Sequence, residues 1–356
     1  MPKKKQSEKE QPAFTPSGTT VATDDHWDST TIQTDIAPLD YILGSGFGCR
    51  RLAELYGVPA SGKSAVGYGM LARAEKIGGV GILIDSEGAF SRDFYRLLGG
   101  DPSRLHVADE FSTDTVEAVF EFMKDNFERY GKLGLDAPPM VVVWDSIAAT
   151  GTKHLQDTDL GTKDLSKSTS MSAGLQKILP YIRSANVCAV FINQLYSSLN
   201  RYGPAEVTGG GAKVKYLASQ RVYMGYNQGD LIRDENGDHI GHRVTTKVEK
   251  SRFGSPHQKA TLYFYTVDGA KHPVYDRQTR FGFDIDQSLF DFYVNGAFYI
   301  GAEKSRVIRK NGAWYNLHPS IDPSEKSFHA KDWPEQLDKF PQLKDLIYHD
   351  LEIPTI

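Results

Sequence analysis

The stretch Gly57-Val58-Pro59-Ala60-Ser61-Gly62-Lys63-Ser64 (GVPASGKS) follows the apolar run RLAELY (51–56) and precedes AVGYGMLARAEK (65–76). Its spacing, G-x-x-x-x-G-K-S, suits a loop whose backbone N–H groups wrap a phosphate. Glycine lets the backbone approach the ligand closely, lysine neutralises phosphate charge, and the serine hydroxyl ligates Mg²⁺. Gly57, Gly62, Lys63 and Ser64 fill those roles, with Pro59, Ala60, Ser61 and Ala65 lining the same nucleotide site. A strand before the loop and a helix after it would present the phosphate to a helix N-terminus. A glycine-rich turn without a ligand is the rival reading, and it does not account for that context.

Outward from the loop, short β-branched apolar runs alternate with helical stretches. The runs are RLAELYG (51–57), GVGILIDSE (79–87), LHVAD (105–109), MVVVWDS (140–146) and VCAVFINQ (187–194), with helices expected at 63–77, 91–99, 114–130 and 170–184. Near-continuous apolar strands separated by helices imply an α/β fold with a mostly parallel sheet covered on both faces. QRVYMGY (220–226), HRVTTKVEKSR (242–252) and ATLYFYTVDG (260–269) read as hairpin strands extending it. The expected organisation is a polar arm over 1–30, a core over 31–272 and a small α+β C-terminal domain over 273–356. That last domain should hold a helix near 284–295, strands at AFYIG and GAWYNL, and one charged helix near 334–351. In the arm, Phe14 and Trp27 are either incidental or pack on a neighbouring subunit.

The chain has 356 residues, enough for one large core with an appendage. A net charge of -4 leaves no overall basic field, so a polyanion would have to be held by local basic loops. Two distant cysteines, Cys49 and Cys188, exclude a disulfide framework and fit a reducing compartment. No apolar run reaches about 18 residues, so no membrane span is expected, and the N-terminus lacks the apolar core of a secretory signal.

Further candidates stand at strand ends. Asp145 closes MVVVWDS and reads as the Mg²⁺-side carboxylate. Glu87, at the tip of GILIDSE, is placed to deprotonate an attacking water, with Asp85 in a supporting role. Phe94 or Tyr95, on the next helix, could stack on a base, with Phe94 favoured, unless both serve packing. Gln194 ends FINQ where a γ-phosphate could be sensed, and it opens a long glycine-rich loop. That loop holds Arg201, Gly209, Gly210, Gly211, Lys213 and Lys215; a second, after Asp145, carries Lys163 and Lys167. Both could grip a polyanion. In VEKSR, strand alternation puts Lys250 and Arg252 on one face, which suggests phosphate neutralisation at the chain's own site or at a neighbour's.

From about Ile32 to Gly269 the chain resembles the RecA-type recombinases. IQTDIAPLDYILGSGFGCRRLAELYGVPASGKS, IDSEGAF, VVVWDSIAA, VFINQ, TGGGAKVKYLASQR and KVEKSR occur in that family's order, and KNGAWYNL with KSFHAKDW is similar to its small C-terminal domain. EKSR and the short polar N-terminus look closer to phage UvsX-like recombinases, while FINQ looks bacterial. The resemblance implies a RecA-like ATPase core and an ATP- and Mg²⁺-dependent helical filament on single-stranded DNA that pairs it with a homologous duplex. It implies phosphate binding by Lys63, Mg²⁺ binding by Ser64, a base at Glu87 and a γ-phosphate sensor at Gln194. It places Lys250 and Arg252 on the adjacent subunit's ATP, Leu199 as a wedge between base triplets, and Ser172 and Lys177 at or near DNA. It further implies a single-strand-binding protein and a mediator as partners, no membrane, and the cytoplasm of a bacterial host. A ring helicase would need an N-terminal docking domain, a non-catalytic mediator would not need intact Lys63, Glu87 and Asp145, and a small-molecule kinase would need a lid over a second pocket.

Overall fold

The computed structural model describes residues 30–157, 166–197, 206–252, 254, 256–295 and 306–353. A short β1 (Thr31–Ile32), α1 (Ala37–Leu43) and β2 (Phe47–Gly48) lead into β3 (Arg51–Gly57), which the phosphate loop joins to α2 (Lys63–Lys76). Then come β4 (Val80–Asp85), α3 (Arg92–Leu97), β5 (His106–Val107), α4 (Val116–Gly131), β6 (Met140–Asp145), α5 (Lys153–Gln156), α6 (Lys167–Ser184) and β7 (Val187–Ser197). Next are β8 (Glu206–Thr208), α7 (Ala212–Leu217), β9 (Gln220–Gly225), β10 (Leu231–Arg233), β11 (His239–Lys250), β12 (Lys259–Tyr265) and β13 (Gly282–Phe283). The C-terminal part holds α8 (Ile285–Asn295), β14 (Ile308–Asn311), β15 (Trp314–Leu317), β16 (Ser327–Phe328), α9 (Trp333–Lys339) and α10 (Leu343–Asp350).

The large sheet runs β13-β12-β11-β9-β3-β7-β6-β4-β5. From β9 to β5 the pairs are parallel, while β11, β12 and β13 continue it antiparallel. Why MVVVWD reads as one apolar block is now physical. Val141 and Val143 face a core shared with α1 and α2, and Val142 and Trp144 face a second core against α4 and α6. A strand buried on both faces has no polar side to show.

One local expectation changes. The charged C-terminal helix is two helices, because Pro341 cannot donate to a helical ladder and restricts Phe340 before it. The large sheet extends to Gly282–Phe283, past residue 272, and the C-terminal Trp333, Leu343 and Ile347 share the first core. AFYIG lies outside the described residues, as do the arm aromatics Phe14 and Trp27.

The α4–α6 contact depends on a missing side chain. A Cβ on Gly174 would stand 2.0 Å from the Phe120 ring. Gly174→Ala is therefore expected to overpack this contact and cost about 1–3 kcal/mol, read as a lowered urea midpoint with unchanged slope.

Near the N-terminal end of the fold, Asp40 is 1% exposed and accepts from Thr34 N at 2.8 Å and Thr34 Oγ1 at 2.9 Å. Burial outweighs those bonds and pushes its carboxyl up to about 7 from 3.8; Asp35 adds to the rise and Arg73 opposes it. The folded value exceeds the unfolded one. The stability held by neutral Asp40 is complete below pH 3.8 and is lost as pH rises through about 7. Chemical unfolding between pH 4 and 7 should show stability falling by at most roughly 1.4 kcal/mol for each pH unit crossed, and Asp40→Asn should flatten the slope.

Candidate active site

Four neighbouring parallel strands end at one place. Gly57 on β3 is in register with Gln194 on β7, and Asp85 on β4 is in register with Asp145 on β6. With strands about 4.8 Å apart, the phosphate loop, Gln194, Asp145 and Glu87 converge at the carboxyl ends, where open α/β sheets bind ligands.

The loop needs both its glycines. Gly57 has φ +151°, and a Cβ there would lie 1.8 Å from the Met224 carbonyl oxygen. Gly62 has φ +83° at the N-cap of α2, and its Cβ would meet the Phe283 ring at 2.5 Å. Ser61 Oγ donates to Val58 O at 2.9 Å, and His242 Nε2 donates to Ala60 O at 2.9 Å. A carbonyl only accepts, so His242 carries its proton on Nε2. Lys63 Nζ donates to Val58 O at 2.6 Å and Gly57 O at 3.4 Å. Burial lowers its ammonium to about 8, opposed by Asp145 and Glu87. A bound phosphate would restore that charge.

Asp145 is 4% exposed. Burial pushes its carboxyl up to about 6, Glu87 and Asp85 add to the rise, and the nearby Ser64 hydroxyl favours its charged form. Burial and the negative charge of Asp145 push the phenol of Tyr68, on α2, up. A hydroxyl and a carboxylate side by side are hard oxygen donors, the pair that suits Mg²⁺ completed by phosphate oxygens and water. Glu87 Oε1 accepts from Ser146 Oγ at 2.6 Å and from Gln194 Nε2 at 3.0 Å. The expected base and the expected sensor are thus in direct contact. Asp85 turns into its own loop, accepting from Phe90 N at 2.9 Å.

Phe94 is edge-on to Phe281 at 5.1 Å and 6.1 Å from Tyr68. Phe281 and Phe283 lie beyond the third hairpin strand and carry no motif, so sequence reading missed them. Ser146 and His242 were missed for a similar reason: their partners lie 59 and 182 residues away. For Ser146, its place directly after Asp145 was the available signal.

A profile of the RecA N-terminal domain matches residues 16–271, more than half of the chain. The chain belongs to the RecA family. It is 31% identical over 288 residues to protein RecA of Francisella philomiragia, covering 80% of this chain and 70% of that one. It is 29% identical over 292 residues to protein RecA of Salinispora arenicola, covering 80% and 74%. Against protein RecA of Saccharopolyspora erythraea it is 30% identical over 287 residues, covering 80% and 73%.

In this RecA-family chain Lys250 and Arg252 are not brought to the phosphate loop. Lys250 is in register with Arg221, and Arg221 with Glu54, three residues before Gly57. That puts Lys250 about 10 Å along the sheet and about 10 Å across it from Gly57, with Arg252 farther along. Lys250 Nζ instead donates to Tyr216 O at 2.7 Å and Lys215 O at 3.3 Å, at the C-terminal end of α7, where a cation is favoured.

The polyanion candidates are dispersed. Lys163, Leu199 and Arg201 lie outside the described residues. Lys167 Nζ donates to Ala148 O at 3.0 Å, Ser172 Oγ to Ser168 O at 2.7 Å, and Lys177 pairs with Glu121. Gly209 to Gly211 pack between the Asp145 strand end and the start of α6. Cβ atoms there would meet Asn193 Oδ1 at 3.0 Å, Ile147 at 3.1 Å and Ser168 at 2.8 Å. Lys213 and Lys215 are exposed on α7. No helix among the described residues is long and apolar enough to cross a membrane.

Proposed function

We propose that this RecA-family chain is an ATP-dependent recombinase that forms helical filaments on single-stranded DNA, pairs it with a homologous duplex and exchanges strands in recombination and repair. One observation carries the reading. Lys63, Asp145, Glu87 and Gln194 converge on one site, while Lys250 and Arg252 stand about 10 Å or more away along the sheet. A second copy that brings its basic pair to the first copy's nucleotide completes the cation set, and repetition of that contact makes a filament.

Within the site, Lys63 and the loop N–H groups hold the triphosphate. Ser64 and Asp145 would hold Mg²⁺, which would supply neutralisation of phosphate charge. Glu87 accepts the proton of the attacking water. Gln194 donates to Glu87 at 3.0 Å, so a γ-phosphate entering there competes for the same amide and carries the nucleotide state into β7 and the loop that follows. Phe94 stacks on the adenine. The basic and glycine-rich residues of the two loops, Lys163, Lys167, Arg201, Gly209 to Gly211, Lys213 and Lys215, with Leu199, Ser172 and Lys177, contact the DNA. This is sequence-independent binding, so affinity falls with salt.

EKSR and the polar N-terminus support a reading closer to the UvsX-like recombinases of phages, acting in a bacterial cytoplasm with a single-strand-binding protein and a mediator. The organisation proposed is an arm over 1–30, an ATPase core over 31–272 and a small C-terminal domain over 273–356. Negative-stain electron microscopy with a slowly hydrolysed ATP analogue, with and without circular single-stranded DNA, tests the reading. Extended helical filaments that require both ligands are expected. Closed rings would point to a helicase motor, and unassembled particles to a mediator or a small-molecule kinase.

A further inference from the structure

Behind the nucleotide site runs a buried polar chain that the proposed mechanism does not use. Glu54, on β3, is fully buried, and its Oε2 lies 2.5 Å from Nε of Arg221 on β9, itself 6% exposed. The Arg221 guanidinium also lies 4.3 Å over the Tyr56 ring. Glu54 Oε1 accepts from Asn193 Nδ2 at 2.9 Å, and the same nitrogen donates to Gly209 O at 2.9 Å. Asn193 Oδ1 accepts the backbone N–H of Gln194 at 3.0 Å. Both partners of Nδ2 are acceptors and the partner of Oδ1 is a donor, so only one orientation of this amide satisfies the site. Asn193 is fully buried.

We propose that Asn193, clamped by the Glu54–Arg221 pair, is the positioning residue that ties the Gly209–Gly211 segment to the nucleotide sensor. Along β7, Gln194 points to the opposite face from Asn193 and reaches Glu87, while its backbone N–H holds the Asn193 amide. A shift of Gln194 toward a γ-phosphate therefore loads the bond that orients Asn193. Asn193 in turn holds the carbonyl of Gly209, at the far end of the glycine-rich loop that Gln194 opens. Glu54 and Arg221 fix the far end of this lever in β3 and β9, the strands flanking the phosphate loop. The inference rests on the nucleotide reading above and assigns the path by which its state reaches one loop.

The test is hydrogen exchange of residues 206–211 in the full chain, with and without ATPγS. The wild type should slow exchange there on binding. Asn193→Ala should lose that protection by roughly fivefold or more, with ATPγS affinity unchanged within about twofold. A merely structural role would lower thermal stability and leave the nucleotide response in place. Gly209→Ala sets a Cβ 3.0 Å from Asn193 Oδ1; it should weaken the protection in the wild-type background and add nothing in the Asn193→Ala background. If Asn193→Ala does not fold, Gly209→Ala decides, and protection retained in it overturns the proposal. Protection retained in a folded Asn193→Ala, or no response in the wild type, also overturns it. DNA-stimulated ATP turnover of the wild type is measured in parallel. Its absence would overturn the recombinase reading, while nucleotide-dependent protection lost in Asn193→Ala would still support the lever.

Discussion

Glu87→Gln is expected to lower ATP turnover by about 10²- to 10⁴-fold while leaving ATP-dependent DNA binding intact. The geometry explains why the two should separate. Glu87 Oε1 is the atom that accepts from Ser146 and Gln194, and a glutamine keeps a carbonyl oxygen for that position. Its amide nitrogen replaces the other oxygen, which in the wild type is the atom that would take the proton of water. An amide cannot act as that base, but the contacts that organise Gln194 survive. Steady-state turnover and fluorescence-anisotropy DNA binding with ATP measure the two separately. Loss of both together would mean that Glu87 acts by holding Gln194 and β7, not as a base. Turnover near the wild-type rate would place the base elsewhere, with Asp85 excluded as first choice because it is bound to Phe90 N.

The parts legible in sequence are those set by local pattern. GVPASGKS names its own chemistry because backbone geometry demands glycine at 57 and 62, and MVVVWD reads as a doubly buried strand because all six residues are buried. What sequence could not show is what sheet order creates. β3 and β4 are consecutive in the chain, yet β7 and β6 lie between them. That insertion is what sets Gln194 beside Gly57 and Asp145 beside Asp85. Ser146 depends on it, whereas His242, Phe283 and the Glu54–Arg221 pair depend on the sheet continuing through β9, β11, β12 and β13 on the other side of β3, with partners up to 221 positions along the chain for Phe283 against Gly62. Lys250 and Arg252 illustrate the limit from the other side. Alternation predicts one face for both, but β11 ends at Lys250, and its antiparallel register with β9 places that residue away from the phosphate loop. The break at Pro341 is legible locally, since a proline ends the helical ladder before it, yet the single charged helix expected near 334–351 runs through it.

The register of β11 leads to the second large effect. Lys250→Ala combined with Arg252→Ala is expected to cut ATP turnover by about 10²- to 10³-fold, the scale of removing a preorganised charge from a developing transition state. Nucleotide binding by isolated subunits should be unchanged, because the chain's own loop does not meet these side chains. Mixing distinguishes action on a neighbour from action at home. The double variant has a working phosphate loop and no basic pair; Lys63→Ala has the basic pair and a crippled loop. Alone, each should be nearly inactive. In an equimolar mixture, random assembly places a working loop against a working basic pair at roughly one interface in four, as expected for a heterologous head-to-tail contact. Turnover with single-stranded DNA should therefore recover to about a quarter of the wild-type value per subunit, and recovery should fall when either variant is in large excess. If the pair served its own site, no mixing ratio would restore activity, since no chain in the mixture carries both halves. A closed ring with the same in-trans contact would give the same fraction, so the particles in the recovered mixture must be seen as extended filaments for the result to speak for a recombinase.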